Sequence, residues 1–570
     1  MRLVPILALA LLLPLTTASA QFWARPAGAA APDQARANPP ETEPEPEPQS
    51  EPSAPQEALP QKSTASDAEV PRSSAPPGLA SSLGGSGDTG IDSIGILPAR
   101  DTDFERTTWR YTGFAAVADL LERLPDRIDS AAEHELAKNL LVSIADAPSG
   151  DDGGSRLLEL RVRKLLAMGN ISDAAALARA APGLPDNAAL AHAEVEAELL
   201  AGQLEAACID MRSFAAILTD PASQNALILC RENAGETIEG GPPPLDIQSL
   251  GAAARISGTP LSADPQSSPP ARLVSAAMDP QNDPALRLET AFAAGRASAL
   301  YGEFLAKLFA SSPPGGLPAD GGAPANGAAA AALYQAIAQE GPVDQKLGLA
   351  ERGLLSPDGV SDKIGVAMVS PLRSFQPVPE LGPLAQRFAI LFYTVGDTEA
   401  AAPWAELADA NGSAAQLWPY RVLLKQADVM GIGDWEQGSG LDAPHIARIL
   451  TVLSAFGVTS PPSDSARVNG DDRPEAPFGD LLAMDKSARD LHVGETVLRA
   501  LSVLGIEGPA RAHPLSLRRA LSDLDQVSLH SEARALAFEA ITAALFDGRP
   551  APSTTAVPGS SIGGNNGPGP

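Results

Sequence analysis

Leu165-Leu166-Ala167-Met168-Gly169-Asn170-Ile171 and Leu199-Leu200-Ala201-Gly202-Gln203-Leu204 are two versions of one phrase, their leucine pairs 34 residues apart. In each, an apolar helical stretch runs into a glycine and then into an alanine-rich stretch. Glycine accepts the left-handed backbone of a tight turn without steric cost. A repeat of this length is one supersecondary unit that buries its apolar face only against its neighbours. The two phrases predict antiparallel helix pairs, each closed by a tight turn and stacked in series.

The first copy is the fuller one. After the turn at Gly169, Ala174 and Ala178 lie one helical turn apart, and their small side chains let the second helix approach the first. In the second copy the corresponding roles fall to Gly202 and Ala206. Ala181 and Pro185-Asp186-Asn187 then close the unit. On these residues the segment from Leu157 to Phe214 resembles tetratricopeptide repeats, and the resemblance implies a right-handed helical stack with a concave, protein-binding groove. Phe392-Tyr393-Thr394-Val395-Gly396-Asp397-Thr398-Glu399-Ala400-Ala401, followed by Trp404, has the same helix-glycine-helix grammar off the 34-residue register. The expected fold is therefore all-α, an irregular α-solenoid of helix-turn-helix pairs.

Further helices are legible by their apolar period. Phe114, Val117, Leu120, Leu121 and Leu124 share a face that should end near Pro125. Leu136, Leu140, Leu141 and Ile144 mark a helix over 131–145. Ala533, Leu536, Ala537, Ala540, Ile541, Ala544 and Leu545 form the cleanest stripe, with Gly548 and Pro550 as stop signals; this helix is expected to seal one end of the fold. Between these elements, 54 prolines and 50 glycines break the chain into segments that cannot pack. The expected organisation is a signal peptide over 1–20, a disordered arm over 21–100 and a repeat region over 101–239. A Pro-rich insertion over 240–284 leads to a helical region over 285–459 interrupted at 311–326. A loop over 460–479, a C-terminal helical cap over 480–548 and a short disordered tail over 549–570 complete it. In the arm, Glu41-Thr42-Glu43-Pro44-Glu45-Pro46-Glu47-Pro48 is extended by proline stiffness and like-charge repulsion.

The address is read from the N-terminus. Arg2, an apolar run from Leu3 to Leu15, and Ala18-Ser19-Ala20 follow the signal-peptide pattern, with cleavage expected between Ala20 and Gln21. The run is too short for the roughly 20 residues of a membrane span, and no transmembrane segment is expected after cleavage. Export to the periplasm or outside the cell suits Cys208 and Cys230, which either pair as a disulfide or stand as two separately buried small apolar groups. The net charge of -29 repels phosphate backbones, and nucleic-acid binding is not expected.

Candidate chemistry is sparse. Gly85-Ser86-Gly87-Asp88-Thr89-Gly90 satisfies GxGxxG but lies in a linker without the strand and helix that hold a dinucleotide. His134, His192, His445, His492, His513 and His530 are scattered along the chain. Two acidic loops, Asp146 with Asp151-Asp152 and Asp464 with Asp471-Asp472, offer oxygens to calcium but lack EF-hand spacing; solvated loop acids are the plainer reading. Trp404, Trp418, Tyr420 and Trp435 either line an aromatic groove or pack between helix pairs. No cofactor or metal is expected.

Together these features predict an exported scaffold that binds another envelope protein and carries no catalysis of its own. Two other readings are a peptidoglycan-acting enzyme or its helical accessory, and an acidic solubiliser acting through its arm. The former draws on a likeness to lytic transglycosylases, whose catalytic Glu-Ser pair is not found here, since Glu507 precedes Gly508 and Glu532 precedes Ala533.

Overall fold

A computed structural model describes residues 90–98, 102–150, 154–181, 187–220, parts of 223–236, 268–339 with breaks at 281, 301 and 314–323, 343–353, 365–428, 431–459 and 473–546. The signal peptide with Ala20 and Gln21, most of the arm, Pro185-Asp186, most of 240–284, 314–323, the loop at 460–472 and the tail lie outside the described residues. Among the described residues there are twenty-one α-helices and no strand, so the fold is all-α.

The first six helices are α1 (Phe114–Arg123), α2 (Ala131–Val142), α3 (Arg156–Ala167), α4 (Ile171–Arg179), α5 (Ala188–Leu200) and α6 (Leu204–Ser213). The next six are α7 (Pro270–Met278), α8 (Pro284–Gly295), α9 (Gly302–Ser311), α10 (Gly327–Ala338), α11 (Val343–Gly353) and α12 (Gly365–Leu372). Then come α13 (Gly382–Thr394), α14 (Thr398–Ala410), α15 (Trp418–Leu423), α16 (Ile432–Gly438) and α17 (Ala443–Ser454). The last four are α18 (Phe478–Arg489), α19 (Val493–Leu504), α20 (Pro514–Gln526) and α21 (His530–Phe546). Short polar side chains start many of them: Ser130 accepts from the Glu133 amide, Asn187 from Ala189 and Leu190, Asp397 from Ala400, and Asp442 from His445.

One turn closes all five helix pairs that are joined by three residues, and it also ends α14 at Gly412 and α15 at Lys425. In α3–α4, α5–α6, α13–α14, α18–α19 and α20–α21, the second residue past the helix has positive φ: Gly169 (89°), Gly202 (72°), Gly396 (75°), Leu491 (59°) and Ser528 (68°). The amide after it reaches back to the carbonyl five residues earlier in every case, from Asn170 to Leu165 at 2.9 Å through Leu529 to Leu524 at 3.0 Å. This is the Schellman closure, which satisfies helix-end carbonyls and points the chain back along the helix it has left. Five residues beyond each turn centre stands a small, fully buried side chain: Ala174, Ala207, Ala401, Thr496 or Ala533, all 0% exposed. Register is therefore set by the turn, which places the first two units 33 residues apart (202 − 169) rather than at the 34-residue leucine spacing.

The N-terminal helices pack on the C-terminal ones, which an end-sealing last helix would not do. α19 lies against α1 and α2, and α21 lies against α2, α13, α15, α17 and α20. Glu539 of α21 accepts from the Ser130 hydroxyl at 2.8 Å, the Asp129 amide donates to the Ile506 carbonyl at 2.9 Å, and the Gly494 amide donates to Thr108 at 3.0 Å. Trp109 lies so close over Gly494 that an added Cβ would meet its ring at 2.4 Å. α21 is thus central, its stripe from Ala533 to Leu545 fully buried.

Two boundaries differ from expectation. The folded body begins by Gly90, not after residue 100. Asp92 there accepts from the amides of Leu157 and Leu158 and caps α3, while the Ile96 and Leu97 amides donate to the Val142 carbonyl. α2 ends at Val142 rather than 145, leaving Ile144 half-buried outside the helix. The reason is Arg161, fully buried, which donates to the Leu141 carbonyl at 2.6 Å, to that of Ser143 at 2.9 Å and to that of Ile94. A side chain from α3 supplies the hydrogen bonds that another helical turn would have made.

Candidate functional site

Gly169 and Gly202 both stand at turn centres in the left-handed region. Gly169 is constrained by packing as well, since an added Cβ would meet the Ala299 methyl at 2.6 Å and Pro270 at 3.2 Å, whereas Gly202 faces open space. Ala174 and Ala178 are buried at the α3–α4 contact, but Ala206 is only half-buried. The turn-based register gives its place to Ala207.

The same register makes α5 unusual. Where α3 presents Leu165, α13 Phe392 and α20 Leu524 at the closing carbonyl, α5 presents Glu198, with Glu194 one turn before it. Oxygens of Glu194, Glu198 and Asp210 of α6 lie within 4.8 Å of one another, the arrangement among the described residues that would suit a hard cation. Arg179 of α4 already donates to Glu198 Oε1 at 2.9 Å. Burial, with Asp210 adding like charge, pushes Glu194 up to about 7 and Glu198 in the same direction. The group is therefore balanced by a guanidinium and by protonation. Beside it, Cys208 of α6 and Cys230 form a disulfide with Cα atoms 5.2 Å apart, within a small core of their own that includes Ala191, Val195, Met211 and Phe214.

The aromatic residues pack between helices instead of lining an open groove. Trp404 stacks on Phe388 with ring centres 4.0 Å apart, and Tyr420 on Tyr393 at 5.2 Å. The Tyr420 hydroxyl meets that of Thr542 at 2.8 Å. Trp435 is buried against half-buried Trp418, with ring centres 5.1 Å apart.

Local contacts account for the histidines. His134 is buried on α2, its Nε2 2.8 Å from the Asn170 amide nitrogen, and burial pushes it down to about 3, so it is neutral. His192 lies near Glu196 and Asp220, His445 pairs with Asp442, His492 with Glu495 and His530 with Asp525, and His513 caps α20. Asp146 takes Arg106 and Arg110. Asp151-Asp152, Asp464, Asp471-Asp472 and residues 85–89 lie outside the described residues.

Four of the eight exposed large apolar side chains among the described residues belong to one helix pair, while Ile209 of α6, 58% exposed, stands apart from them. Phe478 (73%), Leu482 (49%), Leu491 (56%) and Ile506 (50%) lie on α18, in the α18–α19 turn, or just past α19. Tyr111, 58% exposed, stacks on His492 in that turn with ring centres 6.2 Å apart. Phe478 and Leu482 are one turn apart and face outward, while Leu481, Met484 and Ala488 of the same helix are buried. Phe478 and Leu482 carry no sequence sign of exposure, because packing of α18 on α19 and α20 decides which side of the helix is covered. The chain matches no family model, no curated protein and no solved structure.

Proposed function

We propose that this protein is an exported helical-repeat scaffold whose α18–α19 face docks another protein of the cell envelope. The observation that carries the reading is the row of exposed apolar side chains along the α18–α19 pair, Phe478 and Leu482 one turn apart on α18, Leu491 in the turn and Ile506 past the far end of α19, since exposed apolar surface marks association sites. The five helix-turn-helix closures support it, because stacked helix pairs offer side chains on a rigid frame and resemble the tetratricopeptide arrangement from which protein binding is inferred. Export is supported by the leader-like sequence from Arg2 to Ala20 and by the Cys208–Cys230 pair, which suits an oxidising compartment. The acidic surface favours a partner with a basic rim.

The test is affinity capture from cell-envelope extract with the chain beginning at Gln21, with and without residues 21–89, beside a Phe478→Ser/Leu482→Ser variant. A specific partner retained by both wild-type forms and lost by the variant supports the reading. Partners that bind the variant equally well, or clearing of peptidoglycan by the purified protein, would overturn it.

A further inference from the structure

Two pairs of acids hold the elements around this face. Asp523 of α20, 6% exposed, confronts Asp485 of α18, and its Oδ2 is buried with no hydrogen-bond donor. Arg519 donates to Asp485 at 2.6 Å, and Arg489 of α18 also faces the pair. Glu532, in the first turn of α21, confronts Asp103 of the segment that carries Tyr111, and the Ser531 hydroxyl touches both carboxyls, Glu532 Oε2 at 3.1 Å. Beside this second pair, Asp525 and His530 meet at 2.6 Å across the α20–α21 turn.

Carboxylates that confront each other repel when both are ionised, most where one is as buried as Asp523; sharing one proton turns the repulsion into a carboxyl–carboxylate hydrogen bond. We infer that the Asp485–Asp523 and Asp103–Glu532 pairs form a proton-operated latch that holds α18, α19 and the Tyr111 segment in place while each pair shares a proton, and loosens them when it is lost. One pair fixes α18 to α20, and the other fixes the segment before α1 to α21, so the docking face is bounded by both. The inference rests on the docking reading only for what the latch gates; whether the latch exists is read without a partner.

The direction follows from linkage. Burial and Asp485 push Asp523 up to about 7, and burial and Asp103 raise Glu532. A carboxyl raised on folding contributes its stability below its unfolded value and loses it as pH climbs through the folded one. The latch is closed in mild acid and opens across neutrality.

Hydrogen exchange on the whole protein, corrected for intrinsic rates, tests this between about pH 5.5 and about pH 8. The expected result is a loss of protection of at least about tenfold in 102–112 and 478–504, exceeding that in α13–α14. Asp523→Asn/Glu532→Gln, which keeps a donor and removes the titration, is expected to hold protection at the upper pH. Should that variant fail to fold, Asp485→Asn/Asp103→Asn removes the same repulsion from the other side of each pair. Equal protection at both pH values in the wild type, or a loss that either folded variant leaves unchanged, would overturn the latch. Partner capture lost at the upper pH with exchange unchanged would place the pH effect in the docking contact instead.

Discussion

Gly169 and Gly202 fill the same turn position, yet their substitution should cost very different amounts. Alanine at Gly202 meets open space and bears only the left-handed backbone cost, about 1 kcal/mol. Alanine at Gly169 adds a collision with Ala299 and Pro270, for a total of about 2–4 kcal/mol. Urea denaturation of the two variants should show this gap, and equal losses would mean that the turn alone governs Gly169. Leu491, with φ of 59° and most of its side chain in solvent, should gain about 1 kcal/mol on replacement by glycine. These positions also explain what could be read in advance. Gly169, Gly202 and Gly396 announce their turns by residue type. Leu491 and Ser528 make the same turn without glycine, so two of the five pairs carry no such signal in the sequence.

A single side chain can decide where an element ends. Arg161 halts α2 by occupying the carbonyls of Leu141 and Ser143. Its replacement by leucine should leave buried carbonyls without donors and cost at least about 3 kcal/mol, with exchange protection lost first in 91–97 and at the end of α2. A loss confined to α3 would contradict that assignment. The apolar period located α1, α2 and the helix of the Ala533–Leu545 stripe, because each has a face whose burial requires it. It could not give the end of α2, which depends on a residue from another helix. The α5–α6 unit, with its separate core, is expected to depend on its covalent link. Reduction of Cys208–Cys230 should lower its stability by about 3 kcal/mol, the chain-entropy figure for a loop of 22 residues. Proteolysis after reduction should begin between 188 and 236.

Across the whole chain, acid and base effects compete. Asp523, Glu532, Glu194 and Glu198 favour folding in mild acid, whereas buried neutral His134 opposes it. Because its folded value is depressed to about 3, His134 contributes stability above about pH 6.5 and loses it as pH falls toward that value. Five raised carboxyls, these four and buried Glu135, against one depressed imidazole predict a urea midpoint that falls as pH rises from about 5 to about 8, and a rising midpoint would mean that the imidazole outweighs the acids. The closure of the molecule was not legible in the sequence, since residues such as Ser130 and Glu539, 409 positions apart, carry no local sign of meeting. In an open stack of repeats, removing the last helix trims one end. Here truncation before His530 should also unprotect α2, and retention of its exchange protection would show that the N-terminal helices fold alone. The packing of α1 and α2 on α19 and α21 therefore sets the timing of folding: a growing chain completes the core around α2 only after α21 has left the ribosome.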